Sequence, residues 1–170
     1  MLDQNITLDE VEAFVFDFDG VLTNNFVYVS EDGKESVRCS RADGIAFDAL
    51  RKLEKTSYIL SSEKNSVVTK RANKLGITAI QGKRDKLAAI KELIKKKNLD
   101  INRIVYVGND LNDLQVMKKL KLTMCPKDSH PRVQAVALFV LKTKGGEGIV
   151  REILEAVFNL NIEDLLYNGA

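Results

Sequence analysis

Two aspartates stand where an apolar strand should continue. In the stretch FVFDFDGVLT, from Phe14 to Thr23, the side chains of Phe14, Val15, Phe16 and Phe18 read as a strand entering a core, and Asp17 and Asp19 interrupt it. A carboxylate buried without a partner is strongly destabilising or takes up a proton, so the pair must meet something. Asp-x-Asp also opens calcium loops, but those need further acidic ligands at fixed positions between two helices, and GVLTNN follows here. Other groups along the chain make a better set: Ser61 after SYIL, Lys86 after QGKRD, and the cluster GNDLND (Gly108–Asp113) after RIVYV. Each has an ordinary reading alone: Ser61 as a helix cap, Lys86 as a solvated helix residue, Asp110 as an N-cap. Together they suit phosphoryl transfer, which needs a nucleophile, a divalent cation, a proton donor and positive groups around the phosphate oxygens. A carboxylate is ionised at neutral pH and can attack phosphorus, while a second one nearby protonates the leaving alcohol and then activates water.

Such residues act together only if the fold brings them to one edge. The pattern predicts strands at Ala13–Phe18, Tyr58–Leu60, Thr78–Ile80, Ile104–Val107, Leu122–Met124 and Leu138–Leu141. Apolar residues at helical spacing separate them: Ile45, Ala49, Leu50 and Leu53; Val68, Ala72 and Leu75; Leu87, Ile90 and Ile94; Leu111, Leu114 and Met117. This alternation predicts an α/β fold, a doubly wound, Rossmann-like parallel sheet with helices on both faces and ligands outside the carboxyl ends of its strands. One segment breaks the rhythm. In FVYVSEDGKESVRC (Phe26–Cys39), Asp32-Gly33 between alternating runs predicts a β-hairpin projecting just after the aspartate pair. Residues 1–170 therefore read as a single domain, with 24–40 a hairpin flap and no large cap domain.

Composition excludes several classes. The chain is 45% hydrophobic and 29% charged with a net charge of +2, so no strong field favours nucleic acid or a membrane surface. Lys95, Lys96 and Lys97 fall at a predicted helix end, where cations offset the helix dipole. Cys39 and Cys125 lie far apart without metal-ligand spacing, which suits a reducing compartment. The acidic start MLDQNITLDEVE has no apolar signal core, and a cytoplasmic location is expected.

The four motifs in this order resemble the haloacid-dehalogenase superfamily of phosphatases: DFDGVLT first, then Ser61, Lys86 and GNDLND. The resemblance implies Asp17 as nucleophile and Asp19 as general acid and base, with Ser61 and Lys86 holding the phosphoryl oxygens. It implies Mg²⁺ at Asp17, the backbone carbonyl of Asp19 and the fourth motif, where Asn109, Asp110 and Asp113 are the candidates. The small size, the hairpin and the segments CSRADG (Cys39–Gly44), DSHPRV (Asp128–Val133) and KGGEGIVRE (Lys144–Glu152) are similar to phosphatases of 3-deoxy-octulosonate 8-phosphate and their sialic-acid-type relatives. In these, four subunits join through the hairpins and each covers a neighbour's active site, so a homotetramer is implied. His130, the lone histidine, reads as structural. Asp43, Gly145, Gly146 and Arg151 become candidate substrate contacts on the same ground.

Two departures refine the expectation. After Ser61 the octulosonate branch carries Gly-Arg, whereas this chain has SSEKN with Glu63; with Lys74 further along, this resembles the nine-carbon branch and the phosphatase-like domains of acylneuraminate cytidylyltransferases. Glu63 cannot pair with a substrate carboxylate but can accept from hydroxyls or an amine. The fourth motif carries Asn109 where the family has aspartate, which removes one negative charge from the metal site. The expected function is a Mg²⁺-dependent phosphatase of a 2-keto-3-deoxy sugar acid phosphate, nine-carbon or else the octulosonate. A non-catalytic tetramerisation module associated with a cytidylyltransferase is the alternative of another class, and transfer of phosphate to a sugar is a third.

Overall fold

The computed structural model describes residues 6–168. The first strand, β1 (Ala13–Phe16), is wholly buried at the centre of the sheet. Its side chains alternate between two cores, as strand geometry requires. Phe14 and Phe16 pack into one core with Phe47, Leu50 and Ile153, while Ala13 and Val15 face the other with Ile90, Leu93 and Tyr106. A strand covered on both faces has no polar side, which is why its sequence reads as a continuous apolar run.

After β1 the chain forms a hairpin, β2 (Thr23–Val29) against β3 (Glu35–Cys39). It then alternates α1 (Arg41–Lys52), β4 (Thr56–Leu60), α2 (Ser66–Leu75), β5 (Thr78–Ile80), α3 (Lys86–Lys97), β6 (Ile104–Val107), α4 (Leu114–Met117), β7 (Leu122–Cys125), α5 (Pro131–Gln134), β8 (Phe139–Val140) and α6 (Ile149–Glu152). The six sheet strands are parallel in the order β5-β4-β1-β6-β7-β8. The chain builds outward from β1 through β4 to β5, then crosses to the far side at β6. The reversal opens a crevice beyond the carboxyl ends of β1, β4 and β6. The doubly wound α/β architecture is the one the alternating pattern predicts.

The first predicted strand is too long by two residues. Asp17 N–H still bonds to the Val107 carbonyl (2.8 Å), but beyond it the chain turns, with Gly20 at φ +81°. Only glycine adopts that backbone without strain, and the turn aims Asp17 and Asp19 out of the sheet plane. Among the described residues, no helix is long and apolar enough to cross a membrane.

Candidate active site

Three loops meet in that crevice. Asp17 follows β1, Ser61 follows β4, and Gly108–Asp113 follows β6, while Lys86 enters from the first turn of α3. Lys86 is buried and its Nζ bridges two carboxylates, Asp17 Oδ2 at 2.6 Å and Asp113 Oδ1 at 2.8 Å. Asp113 accepts three further hydrogen bonds, from the Tyr106 hydroxyl (2.6 Å), the Asn109 N–H (2.9 Å) and the Asp110 N–H (3.2 Å). Asp17 accepts only one more, from its neighbour's N–H at Phe18 (2.7 Å).

One ammonium cannot neutralise two buried carboxylates. Burial pulls the Lys86 ammonium toward deprotonation, but Asp17 and Asp113 outweigh it and hold the proton more tightly than usual. The excess negative charge is felt at Asp17. Burial first, then repulsion from Asp113, push its carboxyl up to about 8 against the pull of Lys86. Asp19 is also raised, by burial and by the nearby Glu63.

A cleft of about 360 Å³ opens over these groups, lined by Asp17, Asp19, Glu63, Asn109 and Asp110 among others. Among the described residues, no three Asp, Glu, His or Cys side chains converge as a ready-made metal cage. The donor set nevertheless fits an oxygen-seeking cation. Asn109 packs over Gly20, where a Cβ would lie 1.9 Å from its Nδ2, and its Oδ1 is buried with no hydrogen-bond partner. That lone acceptor sits with Asp17 and Asp110 at the cleft, and Mg²⁺ prefers such oxygens together with water and phosphate. Asp113 does not fit as a direct ligand: it is fully buried and both of its oxygens are occupied by protein donors, so it orients Lys86 and the loop instead.

The other expected contacts divide. Ser61 is buried at the end of β4 and accepts from the Glu63 N–H (3.0 Å), while Glu63 itself lines the cleft beside Asp19. Lys74 is not there; it lines a separate cleft with Arg41 and Arg71, formed between α1 and α2. Asp43 is buried and accepts the Val150 N–H (2.9 Å), tying α1 to α6, with burial lifting its carboxyl to about 6. Arg151 shares that inner cluster. Gly145 and Gly146 touch the catalytic loop through backbone. A Cβ at Gly145 would lie 2.1 Å from the Gly20 carbonyl oxygen and one at Gly146 2.5 Å from Asn24 N, and the Gly146 N–H bonds to the Val21 carbonyl (2.9 Å). None of these four lines the cleft over Asp17; Gly145 and Gly146 instead hold the loop that carries Asp19. His130 serves structurally, its N–H bonding to the Asn109 carbonyl (2.9 Å).

Comparison with known proteins places this fold and site in a family. The family model for haloacid dehalogenase-like hydrolases matches residues 45–153. The chain belongs to that family. The 3-deoxy-D-manno-octulosonate 8-phosphate phosphatase of Yersinia pestis is 31% identical over 148 residues, 86% of this chain and 79% of the relative. The enzyme of the same name from Escherichia coli K12 gives the same identity and coverage. Among solved structures, the Moraxella catarrhalis phosphatase of that name, in complex with magnesium ion, phosphate ion and the octulosonate, superposes with a TM-score of 0.85 at 28% identity, covering 89% of this chain and 88% of its own. The protein is a phosphatase of the haloacid dehalogenase-like family.

In this phosphatase Tyr106 is a residue the pattern alone hides, since it reads as one more core side chain of β6. Tyr106→Phe removes a hydroxyl from Asp113 without changing the ring. Loss of a buried hydrogen bond to a charged group should lower stability by about 1.5–3 kcal/mol. Turnover should fall with KM little changed, as measured by thermal unfolding and phosphate release in parallel. A variant equal to the parent in both would remove Tyr106 from the positioning of Lys86.

Proposed function

We propose that the protein hydrolyses the phosphomonoester of a 2-keto-3-deoxy sugar acid, with Mg²⁺, through an aspartyl-phosphate on Asp17. The Lys86 bridge carries this reading: it points Asp17 at the cleft and places fixed positive charge where phosphoryl oxygens would lie. Asp17 attacks phosphorus, Lys86 and Ser61 hold the transferred oxygens, and Asp19 gives its proton to the leaving alcohol. Asp19, then ionised, takes a proton from the water that cleaves the aspartyl-phosphate. Asp17, Asn109, Asp110 and the Asp19 carbonyl would hold the Mg²⁺, which supplies positive charge that offsets repulsion between Asp17 and the phosphate. The relatives' names favour an eight-carbon substrate, and Glu63 at the cleft favours a nine-carbon, sialic-acid-type one; the nine-carbon reading is preferred. The product would then feed activation by a cytidylyltransferase.

The direct test is phosphate release from matched eight- and nine-carbon keto-acid phosphates, with and without Mg²⁺, against an Asp17→Asn blank. Preference for the eight-carbon compound would remove Glu63 as a selectivity residue. No release above the blank on either would favour the non-catalytic assembly module.

Asn109→Asp tests the metal site. It adds a full negative charge at the unpartnered oxygen, and the added attraction should tighten Mg²⁺ binding by about tenfold or more. Without metal the variant gathers another carboxylate beside Asp17 and should melt below the parent. Calorimetric titration and Mg²⁺-dependent melting read both effects, and unchanged affinity would exclude Asn109 from the ligand set.

Assembly as a homotetramer is part of the same proposal. On β2 the outward residues Phe26 and Tyr28 are 71% and 60% exposed, and rings left so open on a two-stranded ribbon mark an interface. Each ring buried between subunits contributes about 1.5–3 kcal/mol. Phe26→Asp with Tyr28→Asp should therefore convert tetramer to smaller species in sedimentation, with unchanged circular dichroism. Lys74, which faces away from its own subunit's cleft, would then be available only to a neighbour's.

A further inference from the structure

The crevice does not end at the phosphate side. A second lobe of about 300 Å³ continues from it under the hairpin, sharing Asp19, Asn25 and Glu63 with the first. Its apolar wall is built from two directions: Val27 and Val37, directly paired across β2 and β3, and Val67 and Val68 in the first turn of α2. Strand alternation puts Val27 on the face opposite Phe26 and Tyr28, so the lobe and the outward rings use different sides of the ribbon.

The polar wall carries three acids, Asp19, Glu35 and Glu63, beside the amides of Asn25 and Asn65. Glu63 presents a carboxylate. One oxygen of Glu35 accepts from Asn65 Nδ2 (2.8 Å), which leaves its other oxygen free of that bond, and Asn65 Oδ1 already accepts from the Val67 N–H (3.1 Å). Among the described residues, no Lys or Arg lines the lobe. A substrate carboxylate therefore finds no cation in it and meets three acidic side chains, Asp19, Glu35 and Glu63. A hydroxyl can donate to Glu63 but leaves the valines against water. An ammonium satisfies the carboxylates and brings no apolar body. One common sugar substituent offers a donor next to a methyl group, and that is an acylamino group.

We propose that this lobe is the subsite for an acylamino substituent of the sugar-acid phosphate, its N–H toward Glu63 and its methyl against Val27, Val37, Val67 and Val68. The proposal rests on the reading of the protein as a sugar-acid phosphatase, and adds to it which member of that class is taken. It also gives the hairpin a role within its own subunit, as one wall of the leaving-group site.

The test uses two nine-carbon 2-keto-3-deoxy acid phosphates that differ only in carrying an acetamido or a hydroxyl group at the same carbon. Phosphate release is measured with Mg²⁺, and a small aryl phosphate, which engages only the phosphate side, is run in parallel. A methyl group accommodated in an apolar pocket should give the acetamido compound at least a tenfold advantage in kcat/KM, the lower end of about 10- to 200-fold for such contacts. Val37→Thr with Val67→Thr keeps the branched shapes and places hydroxyls on the wall; the ratio between the two sugars should fall to within about threefold of one. Using the ratio cancels any general loss of activity in the variant. A parent ratio near one, or in favour of the hydroxyl compound, overturns the subsite and leaves the sugar-acid reading standing. Hydrolysis of the aryl phosphate with neither sugar touched overturns both.

Discussion

Asp17→Asn should abolish phosphate release while making the metal-free protein more stable at neutral pH. The first half follows from the chemistry. An amide cannot form the aspartyl-phosphate, and loss of a covalent nucleophile costs roughly 10⁴- to 10⁶-fold in turnover in enzymes that depend on one. The second half follows from electrostatics. The folded protein holds the Asp17 carboxyl at about 8, well above its ordinary value of 3.8, because burial and Asp113 oppose its charge. The folded state then binds more protons than the unfolded state between those values. Stability from this group is fully present below about pH 4 and is lost as pH rises through about 8. Asparagine removes that loss, and Lys86 keeps Asp113 as a partner. With a chelator present, parent and variant should therefore melt alike below about pH 4, diverge as pH rises from there, and keep a constant gap above about pH 8. Saturating Mg²⁺ should narrow the gap by stabilising only the parent. A variant less stable than the parent at pH 8 without metal would show that Asp17 and Lys86 form a net favourable pair, and the reading of Asp17 as an electrostatic burden relieved by a cation would fail.

Much of this was legible in the residues, and what was not has a common cause. The interruption of β1 by Asp17, the alternation of strands and helices, and Asp32-Gly33 between β-runs are local signals, and each led to the right element. The edges of elements were less clear, because the first strand stops where Gly20 permits a turn, and its neighbour Phe18 is as apolar as the strand. Polar side chains whose partners lie far along the chain carry no local sign of those partners. Asp43 reads as a substrate contact, yet its carboxylate accepts from the Val150 N–H, 107 residues away. Lys74 was grouped with Glu63, but helical periodicity fixes only which side of α2 is apolar, and the cleft Lys74 lines is formed with α1. Gly145 and Gly146 looked like a ligand loop, and what requires glycine there is the approach of the catalytic loop's backbone. Tyr106 carried no signal, since its ring belongs in the core and only its hydroxyl meets Asp113.

Lys86→Met should be the most destabilising single change in the site. Methionine replaces the stem of the side chain in about the same volume, so packing between α3 and the sheet is retained. What disappears is, among the described residues, the only cation within hydrogen-bonding reach of Asp17 and Asp113, two buried carboxylates that then face one another. Removing one partner from a buried ionic cluster costs about 3–5 kcal/mol, enough to threaten a fold whose whole margin is typically about 5–15 kcal/mol. The cost is electrostatic, so it should have a distinctive pattern. Acid should restore much of the stability as the carboxyls take up protons, and adding Asp17→Asn to Lys86→Met should recover a large part at neutral pH. The double variant should be more stable than the sum of the single effects predicts, with a coupling of about 1–3 kcal/mol by urea unfolding. In the parent Lys86 lightens the burden of the Asp17 charge without removing it, and a substrate phosphate can be received only because ammonium and cation share the load. If Lys86→Met were as unstable with Asp17→Asn as without it, the defect would be one of packing, and Lys86 would lose its place as the group that holds the nucleophile ready.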